Sequence, residues 1–149
     1  MYGDPTLKIE VKIMEIITNR KTEIIDITDE VQSFVKKCGV RNGIVNIFVR
    51  HTTAGIFLNE KEDGLLKDFM NYLHKIVPED DEYYHHHFFY KDGRAAVNAW
   101  AHIRSVLLGH FLTIPLKDGK LLLGARQRIF FTELDGPHSR EILIQVVGD

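Results

Sequence analysis

From Lys8 to Ile13 the chain alternates strictly, with Ile9, Val11 and Ile13 on one side and Lys8, Glu10 and Lys12 on the other. That two-residue period predicts a half-buried strand. Asn19-Arg20-Lys21 reads as a turn and residues 22–27 as the returning strand, which together make a hairpin. Thr28 is placed to cap a helix, because Val31, Phe34, Val35 and Cys38 follow at helical spacing and Gly39 stands where helices commonly end.

The period changes again from Gly43. The segment to Glu60 is rich in β-branched and aromatic residues and predicts strands over 44–50 and 53–58, or one strand bent near Thr52–Gly55. Over 62–76, Leu65, Leu66, Phe69, Leu73 and Ile76 form one helical stripe that Pro78 ends, and an acidic loop follows at 79–82. The aromatic and histidine run at 83–92 fits neither period. A second helix over 95–108 places Ala96, Trp100, Ile103 and Leu107 on one face, closed by Gly109. The remainder is β again: 111–116, a turn at Asp118-Gly119, then apolar runs ending in residues 140–147. With no repeat and no linker, the expectation is one α+β domain over residues 1–149, built on a mixed or antiparallel sheet with helices inserted among the strands.

Composition narrows the functional classes. The chain has 149 residues, enough for one core without disulfides, and its single cysteine falls on the apolar stripe of the first helix. Lys and Arg number 19 against 21 Asp and Glu, which speaks against a broad nucleic-acid surface. No apolar run reaches membrane-spanning length, and the N-terminus has no signal-peptide pattern, so the expected location is cytoplasmic and the expected partners exclude membranes. Histidine stands out, with eight residues against three serines.

Polar chemistry gathers in four places. His51-Thr52-Thr53 ends an apolar strand, where imidazole and hydroxyls could meet an anionic oxygen or could satisfy the local turn. Asn59, Glu60, Asp63 and Asp68 straddle a helix start; the dipole accounts for Glu62 and Asp63, whereas Asp68 sits in the helix interior. His85-His86-His87, with His102 sixteen residues past His86, reads equally as partial ligands for zinc or as a histidine paired with a carboxylate for proton transfer. Finally, Gln127 and Glu133 interrupt apolar strands before Asp135-Gly136-Pro137, and Arg140 is suited to bidentate recognition of phosphate or carboxylate. Phosphate-loop, dinucleotide-binding and nucleophile-elbow motifs are missing from the sequence, and no organic cofactor is expected.

In order, His51-Thr-Thr-Ala to Asn59-Glu60, Asp63, Asp68, Val77-Pro78, Tyr84-x-His86 (or the same pattern one residue earlier), Asn98-Ala-x-x-His102, Leu108-Gly109, Gln127, Glu133 and Asp135-Gly136-Pro137 with Arg140 resemble the YjbQ-like family, also described as secondary thiamine-phosphate synthases. Two departures stand within the match: Arg126 where the family usually has Trp, and His138 where it usually has Arg. The resemblance implies a mixed, mostly antiparallel β-sandwich with inserted helices, assembled as a homotrimer, with these polar residues converging on one pocket. It implies a low-rate transferase that joins a hydroxymethylpyrimidine diphosphate to a thiazole phosphate and releases pyrophosphate. On that reading Glu60, Asp68 or Glu133 helps hold Mg²⁺, His51 or His102 moves protons, Arg140 holds phosphate, and Thr52, Thr53, Asn59 and Gln127 orient the substrate. The alternatives are a metal-dependent hydrolase with Zn²⁺ on His86 and His102, or a non-catalytic binder of a small phosphorylated metabolite.

Overall fold

The computed structural model describes residues 6–87 and 97–149. Among these residues, eight strands form two sheets. The first, in the order β1-β8-β3-β5-β6, contains β1 (Lys8–Ile17), β3 (Gly43–Val49), β5 (Phe111–Lys117), β6 (Lys120–Leu121) and β8 (Ser139–Gly148). The second, β2-β7-β4, contains β2 (Glu23–Asp26), β4 (Ala54–Glu60) and β7 (Gln127–Glu133). Every strand pairing among the described residues is antiparallel. The inner faces of both sheets share one apolar cluster, with Val45, Ile47, Ile142 and Ile144 from the first and Ile56, Ile129 and Phe131 from the second. The helix α1 (Thr28–Cys38) joins that cluster through Val31 and Val35.

Two further helices, α2 (Asp63–Ile76) and α3 (Ala99–Leu108), belong to a smaller cluster of Leu73, Val77, Trp100, Ala101 and Leu134. Glu62 caps α2, its carboxylate accepting from the amides of Gly64 and Leu65 at 2.8 and 2.6 Å. Gly55 lets α3 lie directly on β4, since a Cβ there would come within 2.8 Å of Leu108 Cβ. Ser105 on α3 donates to the Ala54 carbonyl (2.7 Å), so His110 Nε2, 2.6 Å away, must be the donor to Ser105. Among the described residues, no helix is long and apolar enough to cross a membrane.

Several expectations change. The strands over 44–50 and 53–58 are separate and lie in different sheets, with residues 50–53 crossing between them. β1 and β2 are not a hairpin: β1 pairs with β8 and β2 with β7, and residues 18–22 carry the chain from one sheet to the other. The alternation in β1 is correct, but its apolar side faces outward. Antiparallel partners share a face, and the pairing of Met14 with Ile142 places Met14 and Ile16 on the core side. Ile9, Val11 and Ile13 therefore stay 60%, 55% and 56% exposed. Thr28 does not cap α1; its hydroxyl donates to Asp26 (2.6 Å) and accepts from the Ile129 amide (2.8 Å), tying the helix start to the second sheet. α3 begins at Ala99 instead of residue 95, and residues 95 and 96 lie outside the described part.

Candidate functional site

The Glu133 carboxylate is fully buried at the end of β7. It faces the same interior as Ile129 and Phe131, because alternate residues of a strand share a face. Five donors surround it. Oε1 accepts from Thr18 Oγ1 and Arg140 Nε, both at 2.8 Å. Oε2 accepts from Arg140 Nη2 at 2.5 Å and from the amides of Leu134 (3.0 Å) and Asp135 (3.1 Å). Burial alone would raise the pKa of this carboxyl, but the bonds from Arg140, Thr18 and the Asp135 amide outweigh it and hold the group below the usual carboxylate range. Glu133 is ionised and fully occupied, so its part here is to fix Arg140.

Arg140 Nη2 also donates to Thr53 Oγ1 at 2.8 Å, which brings the strand end after His51-Thr52 into the same network. His51 stands next to it. Its Nε2 accepts from the Glu141 amide at 2.8 Å, so the neutral ring carries its proton on Nδ1. Partial burial and the positive charge of Arg140 both push the His51 imidazole below its ordinary value, keeping it neutral near pH 7. Gly136 makes the corner possible: its amide donates to the Lys21 carbonyl (2.8 Å), and a Cβ would lie 2.1 Å from the Arg20 carbonyl and 2.7 Å from Glu133 Cγ.

A second polar group adjoins the first. Asp135, whose amide binds Glu133, accepts from Asn98 Nδ2 at 2.8 Å. Asn98 Oδ1 lies 3.1 Å from His85 Nε2, and that ring meets His102 edge-on at 5.1 Å between centroids. His85 and His102, with Tyr83, Tyr84, Ala99 and Ile103, line an open cavity of about 410 Å³. His86 points elsewhere, its Nε2 accepting from the Ala99 amide at 3.2 Å. Hydrogen bonds thus run from Arg140 through Glu133, Asp135 and Asn98 to His85, whose ring touches His102.

The remaining sequence candidates lie apart. Glu60 pairs with Gln127 and Ala54 with Glu133 along the same two strands. At the rise of an extended chain, that separates Glu60 from Glu133 by about 20 Å. At the far end Gln127 Oε1 closes the loop by accepting from the Gly124 amide (2.9 Å), and Glu60 meets Arg126 at 3.4 Å. Asn59 and Asp68 face a different cavity, beneath α2. Thr52 is exposed at the bend before Thr53. The structure therefore unites His51, Thr53, Glu133, Arg140 and, through Asp135 and Asn98, His102; it sets Asn59, Glu60, Asp68 and Gln127 elsewhere.

Thr18 is the contributor that sequence reasoning missed. Its only sign is a hydroxyl residue ending an apolar strand, and its partner stands 115 positions away. As to metals, no three His, Cys, Asp or Glu side chains converge among the described residues. His85 and His86 turn their Nε2 atoms to different partners, Asn98 and the Ala99 amide.

The family profile described as UPF0047 protein YjbQ-like matches residues 12–149. A UPF0047 protein of Methanothermobacter thermautotrophicus is 44% identical over 131 residues, covering 88% of this chain and 87% of its own. The UPF0047 protein YugU of Bacillus subtilis is 34% identical over 138 residues, covering 92% and 98%. Among solved structures, a YbjQ-like protein of unknown function from Sulfolobus solfataricus superposes with a TM-score of 0.88 at 35% identity, over 97% of this chain and all of that one (100%). A hypothetical protein from Aeropyrum pernix gives 0.85 at 30% identity, over 94% and 99%. Profile, relatives and fold agree along almost the whole length, and the chain belongs to the YjbQ-like UPF0047 family.

Proposed function

We propose that this protein is a low-rate transferase of the thiamine-phosphate-synthase type, acting at the Arg140–Glu133–Asn98–His102 end of the molecule. The observation that carries the reading is the aromatic and histidine-lined cavity joined through Asn98 and Asp135 to the buried Glu133–Arg140 pair. Its flat walls suit a heteroaromatic ring, and its polar backing holds histidines in fixed orientations. In the reaction, the thiazole nitrogen bonds to the methylene carbon of the pyrimidine as the carbon–oxygen bond to the diphosphate breaks. Pyrophosphate leaves with the bonding electrons. His51, neutral and protonated on Nδ1, and His102 are the groups assigned to proton handling; Glu133 positions Arg140 and does not meet substrate. Magnesium enters this proposal as part of the bound diphosphate, since the described residues gather no resident site for it.

The same reading takes the protein as a homotrimer. Its support is the outer face of the first sheet, where Ile9, Val11, Ile13, Phe48 and Phe111 are all at least 45% exposed. Supplied with the two precursors and Mg²⁺, purified protein is expected to form thiamine phosphate and pyrophosphate in equal amounts, and His51→Ala and His102→Ala to lose that activity. Absence of product from the wild type overturns the reaction. Activity surviving in both variants overturns the site.

A further inference from the structure

α2 carries a full apolar stripe, yet Leu73 is its only buried residue; Leu65, Leu66, Phe69 and Met70 are half-buried, and Ile76 is exposed. The stripe is incompletely covered because the helix spans a cavity of about 520 Å³, walled by Phe57, Phe69, Leu73, Leu107 and Leu108. That volume is in the ordinary range for small-molecule sites. Four residues with polar groups line the space: Thr132 from β7, Asn59 from the end of β4, and Asp68 and Tyr72 from α2.

Thr132 is the telling one. Its side chain is fully buried and its hydroxyl has no hydrogen-bond partner among the described residues. Native proteins rarely leave such a group unsatisfied, and a ligand is one of the things that satisfies it. Asp68 is the single charged side chain in the lining, and it is exposed. Its carboxylate favours a cation at that end of the space. Phe57 supplies an aromatic wall, edge-to-face with Phe69 at 5.6 Å and tilted on Phe130 at 5.3 Å. Neighbouring positions on β7 serve different layers: Glu133 faces the interior and Thr132 this outer cavity, so the phosphate chemistry proposed above has no part in it.

We propose that this cavity binds a small aromatic amine, with the ring against Phe57 and Phe69, a ring hydroxyl on Thr132 and the ammonium on Asp68. The test titrates the full chain with tyramine, phenethylamine, p-cresol and 4-hydroxyphenylacetate, by calorimetry and by amide chemical shifts. Tyramine is expected to bind about tenfold more tightly than phenethylamine or p-cresol, the loss of one good polar contact in each case. The carboxylate compound is expected not to bind. Thr132→Val should erase the advantage over phenethylamine and Asp68→Asn the advantage over p-cresol, and Thr132→Val should melt no lower than wild type because it removes an unpaired hydroxyl. Binding of none of the four, as when a second copy of the chain covers α2, overturns the proposal. So does tyramine affinity unchanged in both variants, or equal affinity for the carboxylate.

Discussion

The guanidinium of Arg140 and the carboxylate of Glu133 meet inside the molecule, seven positions apart in sequence, on strands of different sheets. Both are almost wholly buried, at 6% and 0% exposure. A pair in that position holds its geometry through each partner's need of the other. Removing one leaves an uncompensated charge. Glu133→Leu or Arg140→Met is expected to destabilise the protein by about 3–5 kcal/mol, with the double variant falling well short of the sum. Urea unfolding of the four proteins closes the cycle, and additive losses would show that the charges do not act together.

The same carboxylate sets a dependence on acid. Its ordinary value is 4.5, and in the folded protein it is lower. As pH falls, the unfolded chain therefore takes up the proton first, so the stabilisation is complete above 4.5 and drains away as pH drops through the lowered folded value. Asp26 adds to the trend: the bonds from Thr28 and Arg128 overcome its burial and lower it from 3.8. Melting temperatures followed from about pH 7 to pH 3 should fall more steeply for wild type than for Glu133→Gln. Parallel curves would count against Glu133 as the source.

At Gly136 the constraint is space. A methyl group would overlap the Arg20 carbonyl at 2.1 Å, and backbone cannot swing aside as the tip of a flexible side chain can. Gly136→Ala should cost about 2–4 kcal/mol and disturb the bond to Glu133. Thermal unfolding measures the first effect. The second should appear as altered chemical shifts at Thr18 and Asp135.

The outer sheet face yields a prediction about assembly. Val11 and Phe48 are 55% and 45% exposed there, so charges at these positions would be carried by the isolated chain without penalty. On the proposed assembly, wild type should sediment as trimer and Val11→Lys with Phe48→Asp as monomer, with the circular dichroism of the two alike. A wild-type monomer, or a variant that remains trimeric, removes that face as the interface.

What the sequence revealed follows the range of each interaction. α2, the β5–β6 turn and the long apolar runs of β7 and β8 are written in local periods and caps, and they appear where those signals stand. The side that β1 presents to the core is not local, since it depends on pairing with β8 at the opposite end of the chain. The site divides along the same line. Glu133 betrays itself as a polar residue in an apolar strand and Arg140 as a base beside the Gly136-Pro137 turn, but the role of Thr18 depends on a contact 115 positions away. Asn59, Glu60, Asp68 and Gln127 carry the right chemistry. Strand direction then sends them to the far end or the outer layer, a separation that sequence order does not encode.

Thr18, Thr53, Glu133 and Arg140 come from four separate stretches of chain, and their network closes only where the ends of both sheets are already in place. Such a knot is expected to form after the main barrier to folding has been crossed, because each of its bonds presupposes long-range pairings that must be assembled first. Its contribution then resides in how slowly the native protein comes apart. Substitutions within it should speed unfolding in proportion to their full energetic effect while leaving the refolding limb of a chevron almost unmoved.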